Sequence, residues 1–337
     1  MHILVNDFIG GALDRGIPLY VRNIVYGLKE NDIRVSVIRA PAFIGRLPRI
    51  CIYIMAVLIE QLLLPLIGLI TRADITLYPY NSIAILDVLS GRGRIVVHDL
   101  EVLSRPGFSA TKFYYRICYR ALRWFNAPIF TISDLTRTRI LQHGVFGACP
   151  IKVLPNTFYI FEDLIRAESA TKLKNNSLLL CTGSTPNKDL DSIVSNFLPG
   201  VLQRGLRVSI LGLHKKSDFT KFNSLSDFLR SGQIRICGQL SDQEVAREYR
   251  SHALVWVHSL REGFGRCVVE GRLAGRRVIC SAIPEFITLK DEGVTLYSNA
   301  AEFAQELTAL VQNEGEPCSY AGYPYRQFLR DAVRAGL

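Results

Sequence analysis

Leu254-Val-Trp-Val-His-Ser-Leu-Arg-Glu-Gly-Phe-Gly-Arg-Cys-Val-Val-Glu270 decides how the chain folds. Four apolar residues make a short buried strand, and Glu262-Gly-Phe-Gly265 makes a turn. An alternating small and apolar stretch, Cys267 to Gly275, then makes a helix, and Arg277-Val-Ile-Cys-Ser281 returns as a strand. A strand, a tight turn, a helix and a second strand form one unit of a parallel α/β sheet. Gly263 and Gly265 leave room for a ligand to approach the backbone. The helix that follows points its free N–H groups outward, a natural seat for phosphate. Glu262 on the turn and Glu270 about a turn inside the helix would accept hydrogen bonds from sugar and ribose hydroxyls. Taken singly, each acid is also explained as a solvated charge near a helix start.

The same alternation runs along the rest of the chain. Ile3–Val5, Val35–Ile38, Ile75–Leu77, Ile95–Val97 and Ile129–Ile132 read as buried parallel strands. Helices are predicted near Pro18–Lys29, Pro48–Ile70, Thr111–Phe125 and Leu135–His143 between them. A polar stretch, Glu162 to Asn176, reads as a linker. A second series follows, with strands at Leu178–Thr182, Val208–Leu211 and Ile234–Ile236 and a capping-box start at Ser241-Asp-Gln-Glu244. The expectation is two Rossmann-like doubly wound domains, 1–165 and 166–318, with a C-terminal tail, 319–337, crossing back to the first. Facing each other, they would enclose a crevice at the carboxyl ends of their strands.

Composition narrows the classes. A chain of 337 residues, 49% hydrophobic and 21% charged, is long enough for two ordinary cores. The eight cysteines form no Cys-x-x-Cys pair and, with the histidines, no zinc spacing, so reduced thiols in a cytoplasmic protein are expected. The chain enters a strand at Met1–Val5 with no signal-peptide pattern. Ile50–Ile70 is apolar but carries Glu60, Gln61 and Pro65, which favours a core or interfacial helix over a membrane span. The formal charge of +10 attracts anionic partners without choosing among them.

Ser259-Leu-Arg-Glu-Gly-Phe-Gly265, Glu270 and Ala274-Gly275 resemble the signature of family-four retaining glycosyltransferases with the GT-B fold. The other landmarks extend that likeness over nearly the whole chain. It implies a nucleotide-diphosphate sugar donor held mainly by the second domain, an acceptor held mainly by the first, and neither cofactor nor catalytic metal. Similarity to bacterial polysaccharide mannosyl- and rhamnosyltransferases implies a hexose, with GDP-mannose as donor. The acceptor would be a surface glycan or polyprenyl-diphosphate-linked saccharide.

Further residues follow the same logic. Gly183-Ser-Thr-Pro-Asn-Lys188 gives a loop and a cation suited to a diphosphate, although it also reads as a surface loop with a stray lysine. The family's arginine soon after this glycine is missing, since Ser184 stands there. His98 and Asp99 end a strand; the resemblance places that pair near the reacting sugar, with Asp99 orienting His98 or meeting the acceptor. Gly10 and Gly11 resemble the family's first glycine-rich loop, and Asp14 is an acceptor-side candidate. Lys112, Arg116, Arg120 and Arg123 fall on one face of a predicted helix, with Phe113, Ile117 and Trp124 elsewhere. That face reads as solvated charge or as a peripheral contact with anionic membrane. Three other readings stay open: a glycoside hydrolase, which needs carboxylates flanking the bond; a non-catalytic basic protein that binds nucleic acid, for which no module is recognisable, or anionic lipid; and a GT-B-fold epimerase.

Overall fold

The computed structural model describes residues 1–8, 10, 16–41, 44, 47–104, 106–107, 109–167, 173–213, 226–312, 325–334 and 337. The chain divides into two units, Met1–Tyr159 with Pro324–Leu337, and Ile160–Tyr323.

Each unit is built on a six-stranded, wholly parallel sheet. In the first, β1 (His2–Asp7), β2 (Arg34–Arg39), β3 (Ile75–Tyr78), β4 (Gly93–Val97), β5 (Ile129–Thr131) and β6 (Ile151–Val153) lie in the order β2-β1-β3-β4-β5-β6. In the second, β7 (Lys174–Cys181), β8 (Arg207–Leu211), β9 (Ile234–Ile236), β10 (His252–Val257), β11 (Arg277–Ser281) and β12 (Val294–Tyr297) lie in the order β12-β11-β10-β7-β8-β9. The central strands are buried on both faces, which is why they read as continuous apolar runs. Strand order reverses between β7 and β10, and in open parallel sheets the loops at the carboxyl ends of such a pair are where ligands bind.

Most expected helices form. The Ser241 capping box closes as its spelling requires, with Glu244 reaching back to the Ser241 N–H at 2.8 Å. The expected linker is the main departure. Tyr159–Ala167 is a helix, because Phe161, Leu164 and Ile165 pack into the second core while Asp163 and Arg166 reach solvent, and Lys174–Asn176 already belongs to β7. The last helix, Tyr325–Arg334, belongs to the first unit. Leu329 and Tyr159 press so closely on Gly27 that a Cβ there would stand 2.5 and 2.4 Å from them.

Ile50–Ile70 is one continuous helical segment with a π-helical stretch at Ile59–Leu63. Glu60 lies in that stretch and is buried. Its Oε2 accepts from Asn6 Nδ2 at 3.1 Å and Ser82 Oγ at 2.9 Å, and its Oε1 accepts from Tyr114 OH at 2.6 Å. Burial raises its carboxyl to about 7 against those three bonds, which pull the other way. The basic helix forms at Ala110–Trp124, with Ser109 accepting from the Lys112 N–H. One expectation about it needs correction: Phe113, Ile117 and Trp124 share the solvent-facing side with Arg116, Arg120 and Arg123, because Cys118, Tyr119 and Leu122 take the inner side.

Candidate active site

The adjacency of β7 and β10 sends two distant loops out side by side, in a register that pairs Cys181 with Val257. Those loops are stitched together by Asn187. Its carbonyl accepts from Leu260 N at 2.8 Å and Ser259 Oγ at 2.9 Å, and its Nδ2 donates to the Arg261 carbonyl at 3.0 Å. On this frame Lys188 forms an ion pair with Glu262, each side chain 18% exposed. Burial alone would push the Lys188 ammonium down, but Glu262, Cys267 and Cys181 together outweigh it and the net direction is upward, so the cation persists.

The turn then enters the helix Arg266–Leu273. Gly265 takes φ +101°, and a Cβ there would lie 2.8 Å from the Phe286 ring, so only glycine fits. No described side chain caps the helix, whose first N–H groups follow directly on the glycine turn. Gly263 precedes it without a left-handed φ, and Phe264 is buried rather than presented to solvent. Glu270, 7% exposed, is held by Tyr249 OH at 3.1 Å and by Arg266 at 3.3 Å. Gly183 begins the β7 loop, where a Cβ would stand 3.8 Å from Lys188. Two carboxylates, two cations and one helix N-terminus thus converge at the reversal point of one sheet. Such a set can neutralise a diphosphate and accept hydroxyl hydrogen bonds.

Sequence reasoning gave several residues here no role of their own: Asn187, Tyr249, Ser259, Arg266 and His258. His258 follows β10 directly, as His98 follows β4, so the strand-end signal was available. Its Nδ1 lies 2.6 Å from Tyr297 OH and its Nε2 3.8 Å from Asp189; burial lowers its pKa against the pull of Asp189.

In the first unit His98, 7% exposed, stands at the end of β4. Its backbone N–H donates to Asn81 Oδ1 at 2.7 Å, and its ring packs edge-on to Tyr20 with centroids 4.9 Å apart. Burial pushes the imidazole down to about 4, opposed by a hydrogen bond with the Pro79 carbonyl. The ring is therefore neutral near pH 7. Nε2 is buried without a protein partner. With Nδ1 donating to Pro79, Nε2 carries a lone pair able to accept from a hydroxyl. Such a weak base is poorly suited to general-base work. Asp99, next along, is exposed.

Gly10 lies over a second cluster on the same sheet edge. A Cβ there would sit 2.0 Å from Asp7 Oδ1 and 2.4 Å from Tyr80 OH. Asp7 itself accepts from Tyr80 OH at 2.7 Å and from Arg39 Nε at 2.7 Å. Gly11 and Asp14 lie outside the described residues. Among the described residues, no group of three His, Cys, Asp or Glu side chains could hold a metal ion.

Residues 176–313 match the family model for glycosyl transferases group 1. No curated protein matches the chain. Solved structures match over nearly its full length at low identity. Sucrose-phosphate synthase from Thermosynechococcus elongatus has a TM-score of 0.63 at 15% identity, covering 99% of this chain and 94% of that one. HepE from Anabaena, solved in complex with UDP, has a TM-score of 0.60 at 15% identity, covering 99% and 100%. UDP-GlcNAc 2-epimerase from Methanocaldococcus jannaschii has a TM-score of 0.60 at 13% identity, covering 99% of each. The fold is GT-B, and the family match over the second unit marks the chain as an enzyme of glycosyl transfer.

Proposed function

We propose that the protein is a retaining glycosyltransferase that moves a hexose from a nucleotide-diphosphate sugar to a surface-glycan or lipid-linked saccharide. The observation that carries this reading is the Lys188–Glu262 pair beside Glu270 and the helix N-terminus at Arg266. Lys188 and the helix N–H groups stabilise the departing diphosphate by preorganised charge. Arg266, beside Glu270, supplies the cation that Ser184 cannot. Glu262 holds sugar hydroxyls and Glu270 the ribose. Gly183 and the turn Gly263-Phe264-Gly265 shape the backbone around the donor.

In the first unit the neutral His98 accepts a hydroxyl hydrogen bond from the donor sugar, and Asp99 meets the acceptor. Gly10, Gly11 and Asp14 belong to the acceptor side. The resemblance to polysaccharide mannosyltransferases favours GDP-mannose, whereas the UDP bound to HepE favours a uridine donor. No metal or other cofactor has a role in this reading. The enzyme works in the cytoplasm at the inner face of the membrane, where its basic helix meets anionic lipid.

A thermal-shift panel of GDP-, UDP- and dTDP-sugars, repeated with Glu270→Ala, tests the donor site. Stabilisation by one nucleotide family, lost in the variant, is the expected result; no stabilisation by any of them would sink the reading. The likeness to the UDP-GlcNAc 2-epimerase supports a second reading, in which the sugar is isomerised while still attached to its nucleotide. Incubation with the stabilising donor alone separates the two, since only an epimerase returns an epimeric nucleotide sugar without acceptor.

A further inference from the structure

The helix Ile50–Ile70 turns an unbroken apolar stripe to solvent. Ile50, Ile54, Leu58, Leu62, Leu66 and Leu69 are each more than half exposed. They recur every three or four positions, as one face of a helix requires. At 21 residues the segment is roughly 31 Å long. Its one ionisable acid, Glu60, faces inward, so the outer face carries no charge. A soluble surface seldom leaves so long a stripe uncovered.

What covers it is indicated by its neighbour. Tyr114, on the basic helix Ala110–Trp124, donates to Glu60 and accepts from Gln61 Nε2 at 2.6 Å, which fixes the two helices side by side. The outward side of that second helix mixes Arg116, Arg120 and Arg123 with Phe113 and with Trp124, which is 84% exposed. An apolar stripe beside aromatic and cationic side chains fits the boundary between acyl chains and anionic headgroups. A protein partner or second copy would need acidic groups to meet those arginines.

By length and composition alone, Ile50–Ile70 could cross a bilayer. Its inner face excludes that orientation. Leu64 is in the first-unit core, and Gly68 lies against β1 and β3, where a Cβ would be 3.3 Å from Thr76 Oγ1 and 3.7 Å from Leu4. Glu60 is held there by three donors. Inserting the helix across a membrane would strip away all of these contacts.

We infer that Ile50–Ile70 is an in-plane membrane anchor, laid flat on an anionic bilayer with the Ala110–Trp124 arginines on the headgroups. This deepens the membrane contact of the proposed function and rests on that reading only for its purpose. From the basic helix, Tyr115 OH donates to the Tyr80 carbonyl at 3.2 Å, and Asp99 lies within electrostatic reach of Tyr115. The anchor is thereby tied to the sheet edge that carries His98, so a lipid-linked acceptor would be presented close to it.

The test uses the full chain and vesicles of phosphatidylcholine with and without phosphatidylglycerol. Trp124 is the reporter: the chain has two tryptophans, and Trp256 is fully buried. Phosphatidylglycerol vesicles are expected to shift its emission to the blue and to sediment the protein. I54S/L58S/L62S is expected to abolish that shift while keeping the native melting midpoint. R116S/R120S/R123S is expected to weaken binding about a hundredfold, at about fivefold per charge. Wild-type binding by the serine variant would overturn the inference, as would a dimer that the variant converts to monomer without any change in lipid binding. Resistance of the bound protein to alkaline carbonate extraction would overturn the in-plane orientation. Donor-induced stabilisation, measured in the same samples, reads the sugar-nucleotide site separately from the anchor.

Discussion

Lys188 and Glu262, 74 positions apart in the chain, form an ion pair at the point where the second sheet reverses its strand order. Each was expected to meet a different part of one ligand; in the structure they neutralise each other. A bound diphosphate would compete for the lysine and release the carboxylate toward sugar hydroxyls. Lys188→Ala should lower kcat/KM on the order of a hundredfold and also lower the melting midpoint, because it leaves Glu262 partly buried without its cation. Adding Glu262→Ala should restore the midpoint but not turnover. A double variant no more stable than the single one would contradict the pairing.

Gly265 combines a left-handed backbone with direct packing against Phe286. Gly265→Ala should cost about 2 kcal/mol or more of stability in urea unfolding. It should also displace the helix N-terminus and so weaken donor binding. Gly183→Ala meets only ordinary contacts and should leave stability within about 0.5 kcal/mol of wild type.

Tyr249 reaches the site through Glu270 and is itself fully buried, packed edge-on to Phe161 with centroids 5.4 Å apart. It is a positioning residue. Tyr249→Phe should cost about 1 kcal/mol of stability and raise the donor KM several-fold while kcat changes little. A collapse in kcat with unchanged KM would instead place the hydroxyl in the chemistry.

Two buried groups of the first unit titrate against each other. His98 is lowered to about 4, so its neutral form stabilises the fold above its unfolded pKa near 6.5, and that contribution is lost as pH falls toward 4. Glu60 is raised to about 7, so its contribution is present below its unfolded value near 4.5 and is lost as pH rises through 7. Each is worth about 3 kcal/mol, with opposite slopes across much the same window. First-unit stability should therefore be nearly flat from about pH 4.5 to 6.5. Glu60→Gln should expose the histidine's slope, with stability rising with pH. A variant whose profile stays flat would show that the two groups do not oppose each other.

Legibility in the sequence followed the range of the forces involved. The strands announced themselves because residues such as Leu178–Leu180 and Val255–Val257 are buried on both faces and so are apolar without interruption. Strand β12, Val294–Tyr297, was not read, being four residues long with a half-exposed middle. The helix Tyr159–Ala167 was hidden by three charges, Glu162, Asp163 and Arg166, of which the mostly buried Glu162 is paired with Arg166 at 3.4 Å. The signature around Glu262 located one loop, but nothing local tells which strand lies beside β10. The Asn187 stitches and the Lys188 pair were therefore out of reach. Glu60 looked like a flaw in an apolar run because Asn6, Ser82 and Tyr114, which hold it, come from three other parts of the chain.

The closing helix Tyr325–Arg334 returns to the unit that the N-terminus began. During synthesis the second unit can therefore complete itself while the first still lacks a piece. Until Leu329 leaves the ribosome, the surface around Gly27 and Tyr159 stays bare. The half of the protein translated first is thus finished by a helix made after the second half, and a nascent chain halted before Leu329 would be caught with that seam open.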